Sequence, residues 1–179
     1  MQTKIEMGGR SLNVALEKTR NALFVIRREW NMDSEDGTVG VTLCNELLEL
    51  QQHLRNDTMT IDPLRVISPF VSIIKSPILS GPYKLLALDS IQAFINHGLL
   101  LEMLNKSENA ITELVEAIIH CKFVQTNVIG DELVQLQIVY TLQCLFTSPE
   151  TRKYLTDETT WIIIESLYNF SLICLKRET

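Results

Sequence analysis

The run SGPYKLLALDSIQAFINH, residues 80–97, constrains the fold more than any other stretch of the chain. Pro82 suits a first helical position, because its missing N–H would be unpaired there and its φ is already set for a helix. Beyond it Leu85, Leu88, Ile91 and Ile95 recur at three- and four-residue steps, with Phe94 widening the stripe. Lys84, Asp89, Gln92 and Asn96 take the other side. The spacing predicts one helix with a wide buried face and a narrower polar face open to a partner.

The same periodicity continues on both sides of this helix. A first helix is predicted from Ser11, its hydroxyl serving as N-cap, with Leu12, Ala15, Leu16, Leu23, Ile26 and Trp30 on one face. The acidic, turn-rich loop 31–40 separates it from a second helix bearing Val41, Cys44, Leu47, Leu48 and Leu54. Residues 64–75 form a short helix that Pro69 should kink, or start near Ser68. After an apolar turn at 99–104 and a loop at 105–109, a fifth helix holds Ile111, Leu114, Val115, Ile118 and Ile119. The sixth, 131–146, is apolar at Leu133, Val134, Leu136, Ile138, Val139, Leu142, Leu145 and Phe146, so it should pack on more than one side. The last, from about Glu158 to Cys174, follows a cap at Thr156 or Asp157. Phe70, Phe94, Phe123, Phe146 and Trp161 read as mostly core by spacing.

An internal echo links two of these helices. ALDSIQAFI at 87–95 aligns with IVYTLQCLF at 138–146, 51 positions later, matching Leu88 with Val139, Ile91 with Leu142 and Gln92 with Gln143. That interval is close to the period of HEAT and armadillo arrays. With 46% hydrophobic residues but only 7 Gly and 5 Pro, the chain reads as all-α. The expected architecture is a HEAT/armadillo-like stack of helical hairpins, a right-handed α-solenoid of about six to eight helices. Residues 1–10 are read as a disordered leader and 11–179 as a single domain.

Composition narrows the function. A formal charge of −6, with scattered Lys and Arg, argues against nucleic acid as a partner. Neither a signal peptide nor a membrane-spanning run stands out, and Cys44, Cys121, Cys144 and Cys174 are dispersed, so the chain reads as cytosolic. His53, His97 and His120 lack the spacing of a metal site, and His120–Cys121 point about 100° apart on a helix. Ser80–Gly81–Pro82 resembles an anion-binding helix start, but Pro82 removes a needed donor. Asp131–Glu132 reads as a dipole partner of its helix rather than an acid–base pair. No catalytic residue, cofactor or metal is expected. An interaction scaffold is the stronger reading, against a small helical enzyme or ligand-binding protein, which should bury several titratable groups.

Three ordered blocks sharpen that reading: PF-x-x-I-x-S-x-x-x-S-G-P-x-x-x-L-A-L-x-S-I-Q-x-F at 69–94; H-C-K-F-V-x-T at 120–126 with D-E-x-V-x-x-x-I-V at 131–139; and S-P followed by Y-L-T-D-E at 154–158. Together they resemble the N-terminal dimerisation and cyclophilin-binding domain of the large Arf guanine-nucleotide exchange factors, in the Golgi brefeldin-A-resistance branch. A HEAT adaptor unrelated to these factors would not explain the three blocks.

The resemblance implies a non-catalytic regulatory domain, peripheral at Golgi and early secretory membranes. It implies self-association, contact with the homology region that follows in such factors, and in some members binding of a small GTPase or cyclophilin. It also implies that the domain continues past Cys174, so the chain is expected to lack its last helices. The implied interaction surface comprises Asp89, Gln92, Ala93 and Asn96 of the organising helix with Asp131, Glu132 and Gln135 of the sixth. In the family a lysine of the first helix meets the glutamate of the second across a symmetric interface. Glu132 fits that pattern, but Ala93 stands where the lysine would be.

Overall fold

A computed structural model describes residues 9–29, 37–56, 63–100, 110–125 and 128–177. Seven α-helices are found among them: α1 (Gly9–Glu29), α2 (Gly37–Asn56), α3 (Pro63–Lys75), α4 (Gly81–Asn96), α5 (Ala110–Ile119), α6 (Val128–Thr147) and α7 (Asp157–Arg177). A 3₁₀ turn, Thr151–Tyr154, precedes the last. The described residues hold no strand, only an isolated bridge between Ser80 and Val124. The chain is all-α, as its periodicity predicts.

The packing pairs build a stack of helical hairpins. α1 lies on α2, α3 on α4, and α5 on α6. α4 also touches both α1 and α6, which makes one row; α3 touches both α2 and α5, which makes the other. α7 packs against α5 and α6 together. Along the chain the helices fall in the first row, the second, the second again, then the first, second and first. The alternation of a two-helix repeat is broken once, between α2 and α3. The echoing segments 87–95 and 138–146 lie in α4 and α6, neighbours in the same row.

α4 is the centre of the core. Leu88, Ile91, Phe94 and Ile95 are buried, and Phe94 meets Phe70 of α3 edge to face, ring centroids 5.2 Å apart. The helix ends at His97, whose N–H donates to the Ala93 carbonyl, and at Gly98, whose φ of 73° favours glycine. Thr156 caps α7 as expected: the Thr159 N–H donates to its hydroxyl oxygen at 3.1 Å.

Several expectations need correction. α1 begins at Gly9, so Ser11 is inside the helix rather than its cap, and its hydroxyl donates to the His97 carbonyl of α4 at 3.0 Å. α2 starts at Gly37, taking in the end of the loop at 31–40. α3 runs unbroken through Pro69 from Pro63, which holds its first position. α6 starts at Val128, three residues before Asp131.

Leu142 is buried, but Leu136 is exposed, while Val139 and Leu167 are half-buried. The helical step explains Leu136: it lies about 200° around α6 from Val134, which faces the core. Among the aromatic residues, Phe70 and Phe94 are core, Phe123 and Phe146 are half-buried, and Trp161 stands 67% exposed on α7. Trp30 lies outside the described residues.

Candidate interaction surface

The start of α4 is locked by three separate segments. Lys84, read from sequence as part of the polar face, is fully buried. Its ammonium donates to the carbonyls of Ile73 (2.5 Å), Ile74 (2.9 Å) and Ser76 at the end of α3. Those carbonyls belong to the last helical turn and its exit, where intrahelical donors run out. Burial pushes the Lys84 pKa down to about 8, against the pull of the nearby Cys121 sulfur. The same burial raises the Cys121 thiol, which the Lys84 charge partly offsets.

A few residues on, the Val124 N–H donates to the Leu79 carbonyl at 3.2 Å, tying the segment after α5 to the approach to α4. From a third side, α6 comes close to Gly81. A Cβ on Gly81 would lie 3.3 Å from Val134 Cγ2 and 3.4 Å from Asp131 Oδ1. Asp131 Oδ1 is buried there without a hydrogen-bond partner, beside the electropositive start of α4. The first two sequence blocks, far apart in the chain, therefore meet at one junction, and its chemistry is that of a structural joint. Gly81→Val is expected to lower stability by about 1–3 kcal/mol through overpacking, read by thermal unfolding. An unchanged midpoint would show that α6 yields at this contact.

The residues expected on a partner surface are divided by the fold. Asp89 is exposed, yet its carboxylate accepts from Lys18 of α1 at 2.5 Å. Gln92 turns toward α6: its Oε1 accepts from Gln137 Nε2 at 2.6 Å, and its amide lies 3.3 Å from Cys144 Sγ. Ala93 and Gln135 are half-buried, and Asp131 is at the junction. Asn96 and Glu132 are exposed. α4 and α6 are thus brought together by packing on each other, and much of the polar face of α4 is spent inside the domain.

The larger exposed feature lies on the far side of α6. Val134, Ile138, Thr141, Leu142 and Leu145 face inward. Roughly opposite them Ile129, Leu133, Leu136 and Tyr140 form a second stripe, each between 47% and 70% exposed. α7 repeats the feature with Trp161, Ile164 and Tyr168. Sequence reasoning assigned the outer α6 leucines to the core, since an apolar residue at helical spacing says that a face is apolar and not what covers it. The missed signal is the pair of interleaved four-and-three ladders, 134–138–141–145 and 129–133–136–140.

A ligand-binding role finds less in the described residues. Their grooves are open: one of about 310 Å³ between α3 and α5 is lined by Leu64, Val71, Lys75 and Glu113 among others. Among the described residues the buried polar side chains are Thr19, Lys84, Ser90, Thr141, Thr151 and Thr159, and the titratable Cys44 and Tyr83 are buried with the hydrophobic core. Among the described residues no three His, Cys, Asp or Glu side chains group as metal ligands, and no helix is long and apolar enough to cross a membrane.

No family model matches the chain. Curated relatives do. It is 33% identical over 94 residues to the Golgi-specific brefeldin A-resistance guanine nucleotide exchange factor 1 homolog of Caenorhabditis elegans, covering 52% of this chain and 5% of that protein. It is 30% identical over 115 residues to ARF guanine-nucleotide exchange factor 1 of Saccharomyces cerevisiae, covering 64% of the chain and 8% of the relative. ARF guanine-nucleotide exchange factor 2 of the same yeast is 33% identical over 89 residues, half of this chain and 6% of its own length. The chain thus spans well under a tenth of each of these three proteins.

Proposed function

From its homology to Arf guanine-nucleotide exchange factors, we propose that the chain is the dimerisation and cyclophilin-binding type of regulatory domain in such a factor. It works by protein–protein contact and lends no catalytic group to nucleotide exchange. Its partners are a second copy of itself and the homology region that follows in the parent factor. A small GTPase or a cyclophilin is a further partner implied by the resemblance. The site is cytoplasmic and peripheral at Golgi and early secretory membranes, a reading supported by the Golgi-specific relative.

The observation that carries the proposal is the outward apolar stripe of α6, continued in kind on α7. Contiguous exposed apolar residues on an otherwise acidic, well-packed domain are the physical mark of a docking face. Glu132, on α6 itself, is exposed beside that stripe, while Asn96 is exposed at the end of α4.

Two measurements test the reading. Loading of an Arf protein with fluorescent nucleotide should proceed at its spontaneous rate in the presence of catalytic amounts of the chain. The immobilised chain should retain the downstream homology region of an exchange factor. Marked acceleration would overturn the non-catalytic assignment, and failure to retain that region would overturn the regulatory contact.

A further inference from the structure

We propose that the outer face of α1 is a docking site for a short acidic segment of another protein, one that carries an apolar side chain between two carboxylates. Its centre is Phe24, fenced by Arg20, Arg27 and Arg28, and α4 stands between it and α6 in their row. Ala15, Ala22 and Ile26 turn the opposite side of the helix into the core, so Phe24 points outward and is 63% exposed. At 100° per residue the three arginines lie within about 60° of Phe24, one turn before it and one turn after. All three are exposed, and among the described residues none of them forms an ion pair; the ion pair found on α1 joins Lys18 to Asp89. An exposed aromatic ringed by unpaired guanidinium groups has the make-up of a binding hot spot.

Charge and geometry choose the occupant. With five basic and two acidic residues α1 is net +3, which leaves −9 on the rest of a chain whose total is −6. Such a local reversal attracts carboxylates, and each guanidinium fork matches a carboxylate through two parallel hydrogen bonds. Arg20 and Arg28 lie roughly 6 Å before and after Phe24 along the axis, the span of about two residues of extended chain. The matching segment therefore reads acid, any residue, apolar, any residue, acid. Glu17, exposed on the same side two turns before Phe24, repels further acid at that end. Asp33, Glu35 and Asp36 follow the helix in sequence and lower the local potential, so the affinity is modest and salt-dependent. An anionic bilayer fits less well. One aromatic is a small anchor beside the several that an interfacial helix inserts, and the apolar face of α1 is already spent in the core. The negative charge on the rest of the chain also opposes approach to a negatively charged plane.

The test is fluorescence anisotropy of a labelled Gly-Ser-Glu-Ser-Leu-Ser-Glu-Ser-Gly peptide titrated with the intact chain at low salt. A control peptide has lysine in place of both glutamates. The glutamate peptide should bind and the lysine peptide should not. Joint replacement Arg20→Gln and Arg28→Gln should weaken binding roughly tenfold or more, and Phe24→Ser about fivefold. Glu17→Gln should tighten it about twofold, a gain that a misfolded chain cannot produce. Circular dichroism verifies that each variant keeps its helices. Binding that none of these substitutions alters overturns the site, and a glutamate peptide that stays free up to high micromolar chain overturns the proposal. Flotation with vesicles of equimolar phosphatidylcholine and phosphatidylserine tests the other occupant. Vesicle binding abolished by the arginine double variant, with the peptide unbound, would assign the face to a membrane and overturn the proposal.

Discussion

Lys84→Met should destabilise the fold by about 2–4 kcal/mol at neutral pH. Methionine has nearly the length of lysine and fills the site, so packing is largely kept. What is lost is the donor to Ile73, Ile74 and Ser76. A buried acceptor left without a partner costs about 1–3 kcal/mol, and part of the total is returned because an ammonium no longer has to be desolvated. Denaturant unfolding of wild type and variant measures the difference, and equal midpoints would show that solvent replaces the ammonium at the carbonyls.

The sign of the pH dependence follows from the same burial. Folding lowers the Lys84 pKa from its ordinary 10.5 to about 8, so between these values the unfolded chain holds a proton that the folded chain has released. Stability contributed by this group therefore rises with pH across that window. The neutral amine still donates, whereas methionine does not. The gap between wild type and Lys84→Met should consequently widen from pH 8 toward pH 10.

Phe94→Ala should cost about 3–5 kcal/mol, the range for emptying a fully buried aromatic site. Phe94 is wholly inaccessible and stands edge-on to Phe70, linking α4 to α3, while α4 itself also supports α1 and α6. Collapse around the vacancy would require both rows to shift, so relief is small. Calorimetric or denaturant unfolding provides the check. A loss below about 1 kcal/mol would mean that the rows close over the vacancy.

Helix positions, the cap at Thr156 and the central place of α4 were legible because periodicity and capping are local properties of the chain. Lys84 shows where that reading fails. It lies four residues before Leu88, on the line that continues through Ile91 and Ile95, so spacing alone puts it inside. Its charge argued for the surface, and only the bare carbonyls at the end of α3, a tertiary fact, reverse that argument. Leu136 fails in the opposite sense, since its apolar character says nothing about whether a neighbour covers it. Of the residues expected on a partner surface, the solvent exposure of Glu132 and Asn96 follows from their polar character. The turn of Gln92 toward α6 does not, because its partner Gln137 lies 45 positions away on a helix whose rotation the sequence does not reveal.

The row formed by α1, α4 and α6 also has a consequence for synthesis. Lys18 of α1 meets Asp89 of α4 across 71 positions, and Ser11 meets His97 across 86. On the ribosome, at roughly 5–20 residues per second, α1 waits about 4–14 s after it is made before α4 exists to receive it. During that interval α2, which packs on α1, is already present to shield its apolar face. The break in alternation suits this delay: α2 and α3 lie side by side in the other row, so a three-helix platform can assemble first, and α4 closes it against a helix already held in place.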